Sequence, residues 1–381
     1  QVIFDSYHDK RTGFRFGVTP RGVKRDVFHF DDGNEDGTWD AVWTVETTID
    51  SLGWTAEFRI PFSQLRFRTG SGEQTWGLNI LRDIARKEER SWWSPMRPDQ
   101  SGFSSRFGTL TALRGLGSPR RLELLPYSVA RVTRDGRVSD NDPFRSATDP
   151  ALSFGADLKY GLTSNLTLTA TFNPDFGQVE ADPGQVNLSA FETFFQERRP
   201  FFVEGADVFN LGSLFYSRRI GRSPQGQLPD GYDYAYRPAN TRLLAAAKLT
   251  GRTSGGWQIG ALEAVTAREV GRVRNLDGTG QETAVEPFTN YLMGRVKRTT
   301  AGGSRTWGLI ATSVYRGFQD GDDALRSQLP QHAEAVGAGP VPSVITSSGG
   351  KTPWREVSRS SRTATCAAPT SSAWWSEPAC R

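Results

Sequence analysis

Residues 152–172, LSFGADLKYGLTSNLTLTATF, decide the fold. Leu152, Phe154, Ala156, Leu158 and Tyr160 alternate with Ser153, Gly155, Asp157, Lys159 and Gly161. Leu166, Leu168, Ala170 and Phe172 then alternate with Asn165, Thr167, Thr169 and Thr171. A two-residue period gives a strand one apolar and one polar face. The short LTSN link at 162–165 reads as a turn between two antiparallel strands.

The same period recurs over 121–134, 241–251, 256–267, 288–299 and 304–316, separated by Gly-rich turns and by longer polar stretches at 217–239 and 268–287. Strands of about 10 residues, with short turns at one end and long loops at the other, are the arrangement of outer-membrane barrels. Mean hydropathy is −0.50, with no run of apolar residues long enough for a membrane helix. That does not weigh against a barrel, whose strands are only half apolar. The pattern alone leaves a soluble sandwich open. With a net charge of +4 and basic residues spread along the chain, nucleic acid is not an expected partner. Cys366 and Cys380 both fall at the end of the sequence, so the body of the protein has no thiol chemistry.

Four zones follow. Residues 1–113 are strand-rich and 114–119 (RGLGSP) are linker. Residues 120–336 carry the long alternating strands, and 337–381 lack alternation and are rich in Ser, Thr, Pro and Arg. The first zone opens inside a strand pattern, which is expected of a sandwich lacking its first strands. The last zone reads as a disordered linker or as a frameshifted continuation of the barrel. The expected class is all-β, an incomplete sandwich followed by an incomplete antiparallel barrel.

In the first zone, WTAEFRIPFSQL at 54–65 alternates until Pro61 ends the ladder. Together with FDSYHD at 4–9, WDAVW at 39–43, WGLNI at 76–80 and RFG at 106–108, it resembles carbohydrate-binding module family 9. The resemblance implies a β-sandwich that binds a glycan. Flat aromatic faces with planar polar neighbours suit sugar rings. The candidates are Trp39, Trp92 and Trp93, with Arg59, Asn79, Arg82 and Asp83 as polar partners; Trp43, Trp54 and Trp76 read as core. DDGNEDGTWD at 31–40 sets Asp32, Asn34 and Asp36 at alternate positions, as a calcium loop does. The twelfth position from Asp32 is Trp43, which excludes an EF-hand. A simpler calcium site that adds Asp40 and a plain solvated turn both remain open.

Residues 172–209, FNPDFGQVEADPGQVNLSAFETFFQERRPFFVEGADVF, have neither a helix nor a strand period. Asp175, Glu180, Asp182, Glu192, Glu197 and Glu204 lie near Arg198 and Arg199. Facing lipid, each would cost several kcal/mol, about 2–4 for a basic residue at mid-bilayer, so the segment is expected to line or plug a barrel lumen. The stretch resembles a family of Gram-negative outer-membrane proteins in which an uncharacterised barrel follows a carbohydrate-binding family 9-like domain. That implies outer-membrane lipid and a carbohydrate or other small polar ligand as partners, for uptake or surface attachment. The side of the membrane that holds the sandwich is left open. The rival is a secreted carbohydrate-active hydrolase acting on O-glycosyl bonds. His8, His29 and His332 are too scattered for a triad or metal site, and no carboxylate pair stands out as catalytic. No catalytic residue is assigned, and no cofactor beyond calcium.

Overall fold

In a computed structural model the chain is all-β, and every strand pairing among the described residues is antiparallel. The structure describes residues 1–67, 72–97, 99–116, 121–136, 138–139, 141–174, 194–209, 214–253, 256–299 and 306–341. Strands β1 (Val2–Asp5), β2 (Gly13–Val18), β3 (Lys24–Phe30), β4 (Asn34–Asp36), β5 (Thr44–Ile49), β6 (Trp54–Arg59), β7 (Gln74–Ile84), β8 (Glu89–Trp92) and β9 (Gly108–Leu113) build the first domain. Its main sheet runs β4-β3-β2-β1-β7-β8, and β9 pairs with the start of β7 where β8 pairs with its end. The β5–β6 hairpin forms a second layer. Between the layers lie Phe14, Phe16, Trp39, Trp43, Leu65, Phe67 and Trp76. The ring of Trp43 stacks on Phe58 of the hairpin at 5.6 Å, and its indole N–H reaches Asp26 Oδ1 at 3.3 Å. A buried Trp is tolerated when its donor finds such a partner.

The second domain contains β10 (Leu122–Arg134), β11 (Thr148–Gly161), β12 (Leu166–Phe172), β13 (Tyr234–Tyr236), β14 (Leu243–Arg252), β15 (Trp257–Thr266), β16 (Glu269–Arg274), β17 (Gly280–Glu286), β18 (Phe288–Thr299), β19 (Thr306–Gly317) and β20 (His332–Val341). Eight of them form one sheet, β10-β11-β12-β14-β15-β18-β19-β20, curved as half a barrel. The seven strands expected from alternation are all present within a few residues of the predicted ends. Two expectations are corrected. The stretches 217–239 and 268–287, read as polar loops, hold β13 and the β16–β17 hairpin, which together form a separate three-stranded sheet. The irregular tail, expected from 337, begins later, because β20 pairs with β19 up to Val341. The rest of that tail, with Cys366 and Cys380, lies outside the described residues.

Both faces of this sheet carry apolar side chains, the inner one mixed with buried Thr, Lys and Arg. On β19, Thr306, Ile310, Thr312, Val314 and Arg316 are buried inside, while Trp307, Leu309, Ala311 and Tyr315 lie on the open side. On β18, Thr289, Tyr291, Met293, Arg295 and Lys297 are buried, and Leu292 is exposed on the other side. The outer rows match across the sheet. Ile259, Val296, Leu309 and Ala338 form one; Ala261, Gly294, Ala311 and Val336 form the next. Trp257 and Trp307 flank them at one end, with the Arg298 guanidinium 5.2 Å from the Trp257 ring. Tyr315 and Phe288 flank them at the other. A more polar row, Glu263, Leu292, Ser313 and Glu334, crosses the same face, and the Glu263 carboxylate accepts from Asn290 Nδ2 at 2.8 Å.

Candidate functional site

The inner face of the half-barrel is filled by the described part of 194–241. Helix α1 (Pro200–Val203) starts on Pro200, whose missing N–H costs nothing at that position. A 3-10 turn at Ala206–Phe209 follows. Phe201, Phe202, Val208, Phe209 and Ile220 pack against Leu243, Ala246, Leu262, Tyr291, Met293, Ile310 and Val314 of the strands. The approach is close: a Cβ on Gly260 would meet Val208 at 2.6 Å, so only glycine fits beneath the turn.

Polar contacts fix this plug. Arg199 is buried; it donates from Nη1 to the Ile220 carbonyl at 2.6 Å and from Nη2 to the Ser217 carbonyl at 2.8 Å. It pairs with Glu197 at 2.7 Å and covers the Phe202 ring at 4.2 Å. Burial raises the Glu197 carboxyl, but its bonds to Arg199 and Ser217 outweigh that and hold it below the usual range. Glu204 behaves likewise: burial pushes it up, and Lys159 and Lys248 pull it lower still. Lys159 reaches Glu204 at 2.6 Å. Lys248 donates to the Phe201 and Glu204 carbonyls, and Arg295 to those of Asp207 and Val208. Strand cations thus grip plug backbone oxygens, a role that no spacing in the sequence pointed to. Arg198 is exposed. Asp175, Glu180, Asp182 and Glu192, expected in the same plug, lie outside the described residues.

The nominated glycan residues do not converge. Trp39 is 7% exposed and wedged between Phe14 and Phe16, at 5.2 and 5.6 Å. Asn79 is fully buried and ties β7 to Ser94: its Oδ1 accepts from the Ser94 N–H and its Nδ2 donates to the Ser94 carbonyl. Asp83 pairs with Arg90 at 2.7 Å. Arg59 is exposed on the separate hairpin. Trp92 is half-buried, edge-on to Phe103. What remains is Trp93, 56% exposed, whose backbone N–H donates to the Ile80 carbonyl, with exposed Arg82 two residues along that strand.

Two of the acidic loop's carboxylates are engaged by donors within the protein. Asp32 Oδ1 accepts from the backbone N–H of Phe103 and Ser105, and its Oδ2 from the Ser105 hydroxyl at 2.7 Å. Asp36 accepts from Thr38 and from the Gly205 N–H of the plug. Asn34 opens β4 and is exposed, and Asp40 is exposed beyond it. Among the described residues no three His, Cys, Asp or Glu side chains gather as metal ligands. Among them, too, no helix is long and apolar enough to cross a membrane, which says nothing about strands.

A family model described only as a domain of unknown function, DUF5916, matches residues 118–330. The chain belongs to the DUF5916 family. No curated protein and no solved structure matches it. The DUF5916 segment begins just before β10 and ends between helix α2 (Asp323–Gln328) and β20. It therefore takes in both the plug and most of the sheet that holds it, and leaves the first domain outside.

Proposed function

We propose that this is a bacterial outer-membrane β-barrel protein with a plugged lumen. Its N-terminal sandwich, which resembles carbohydrate-binding module family 9, binds a glycan or related polar ligand for uptake or surface attachment. The observation that carries the membrane reading is the largely apolar outer face of the sheet, opposite an inner face that is already packed. Soluble proteins rarely leave a contiguous apolar face of this extent open to water. Here that face is bounded at both ends by aromatic residues, while lysines, arginines and threonines lie inside. Apolar-out, polar-in strands with aromatic girdles suit a bilayer. For the ligand, the support is the exposed Trp93 ring, which lies over Gly108 while its backbone bonds the strand that carries exposed Ile80 and Arg82, an amphipathic surface of the kind that sugars stack on.

Fractionation tests the first part. The protein is expected in the outer membrane, extracted only by detergent and migrating differently on gels before and after heating; recovery from the soluble fraction without detergent would sink it. For the second, the detergent-extracted chain on a glycan array is expected to retain at least one glycan class and lose it on Trp93→Ala. No retention by the parent chain, or equal retention by the variant, removes the glycan role.

A further inference from the structure

We infer that the sandwich domain sits on the periplasmic side and stoppers the barrel mouth, latched by Asp9, Asp31 and Asp36 onto lumen-facing cations and the plug. The inference rests on the outer-membrane reading above. Three observations carry it.

The first is which end of the sheet the sandwich touches. Links 162–165, 253–256 and 300–305 join strands at one end, and the much longer 135–147, 267–287 and 318–331 join them at the other. Among the described residues, the polar contacts that join strands to the sandwich fall at the short-link end. Arg252, the last residue of β14, pairs with Asp9. Lys297, near the end of β18, reaches Asp31 at 3.2 Å, and Glu123, at the start of β10, accepts from Gln64 Nε2 at 3.2 Å. In outer-membrane barrels the short turns are periplasmic and the long loops extracellular.

The second is what the sandwich touches. Lys297 is a buried, inward-facing strand residue, and Gly205, whose N–H is held by Asp36, belongs to the plug. The sandwich thus reaches into the mouth rather than resting on the outer wall. The third is how little space is left. The cavity at the junction, lined by Tyr7, Trp39, Arg66, Asp207, Lys248 and Gln258 among others, is about 50 Å³. That is room for a water or two and not for a solute.

Sidedness is tested by cysteine labelling of the full chain with Cys366 and Cys380 replaced by Ser. Leu52→Cys marks the sandwich and Leu276→Cys the long-link end, both at highly exposed positions. In intact cells a membrane-impermeant maleimide is expected to label Leu276→Cys, and Leu52→Cys only after the outer membrane is permeabilised. The reverse pattern, or labelling of both in intact cells, overturns the periplasmic placement while leaving the barrel standing. A chain that never fractionates with the outer membrane overturns the underlying reading instead. The latch is tested on the unmodified protein in isolated membranes with a water-soluble carbodiimide, which joins an amine to a carboxylate it already touches. Mass spectrometry is expected to find Asp31 joined to Lys297. Formation of the Lys159–Glu204 cross-link within the barrel domain, without Asp31–Lys297, rules the latch out.

Discussion

His29 is almost fully buried on β3, packed 4.3 Å from the Phe103 ring, and neither ring nitrogen has a hydrogen-bond partner. Burial, with the positive fields of Arg15 and Arg25, pushes its pKa down to about 3. Unfolded, the ring protonates near 6.5. A depressed folded value means that this residue's stability contribution is intact above about 6.5 and falls away as pH drops toward 3. At pH 5 the loss is about 2 kcal/mol. His29→Phe removes both the titration and two unsatisfied polar atoms. The variant is expected to melt at or above the parent at pH 7, with the gap widening by several degrees at pH 5 in detergent melts; parallel curves at the two pH values would assign the acid sensitivity elsewhere. The acidic loop teaches a related lesson. The oxygens at Asp32 and Asp36 were legible as a ligand-like pattern, but apart from Thr38 their partners, Phe103, Ser105 and Gly205, are remote in sequence. Local spacing reports that oxygens are available, not which donors satisfy them.

At the scale of the element, alternation was a sound guide wherever inward and outward side chains differ in kind, as on β12, β15 and β18. It failed on β20, where inward Ala333, Ala335 and Gly337 are small. The plug explains why: a Cβ on Gly337 would meet Leu214 at 2.3 Å, so packing from inside erases the contrast that a sequence reader needs. The outer rows allow a direct test of the solvent they face. Leu309 and Ala311 lie in adjacent apolar rows. In a bilayer, Ala311→Arg, midway between the Trp307 and Tyr315 flanks, should cost about 2–4 kcal/mol and Leu309→Arg, two residues nearer one flank, less, given a depth-dependent penalty. In water both would fall within about 0.5 kcal/mol of the parent. Urea unfolding from lipid vesicles separates these outcomes: equal, small effects would mean that this face is not in lipid.

At the scale of the whole molecule, the order of a sandwich followed by long strands was readable because each domain carries its own pattern. The junction was not, because it is made of single ionic contacts between residues far apart in the chain. Asp31 is its best-defined member. Burial raises its carboxyl, but Lys297 and Arg11 more than compensate, so it stays below the ordinary value. A depressed carboxyl stabilises the docked state above its unfolded value near 3.8, and that contribution is lost only as pH falls through the lower folded value. Asp31's own contribution is therefore expected to hold unchanged from about pH 8 to about pH 5. Asp31→Asn removes the charge at every pH and leaves buried Lys297 without this carboxylate. Asp31 is about one-third exposed, so water screens the pair and the cost is about 1 kcal/mol rather than that of a fully buried charge. Hydrogen exchange reads the result. Faster exchange at Asp36–Ala41 and Gly205–Val208, with β18 and β19 still protected, is expected if Asp31 holds the two domains together. Unchanged exchange in both segments would mean that Arg252–Asp9 and the packing around the cavity suffice without it.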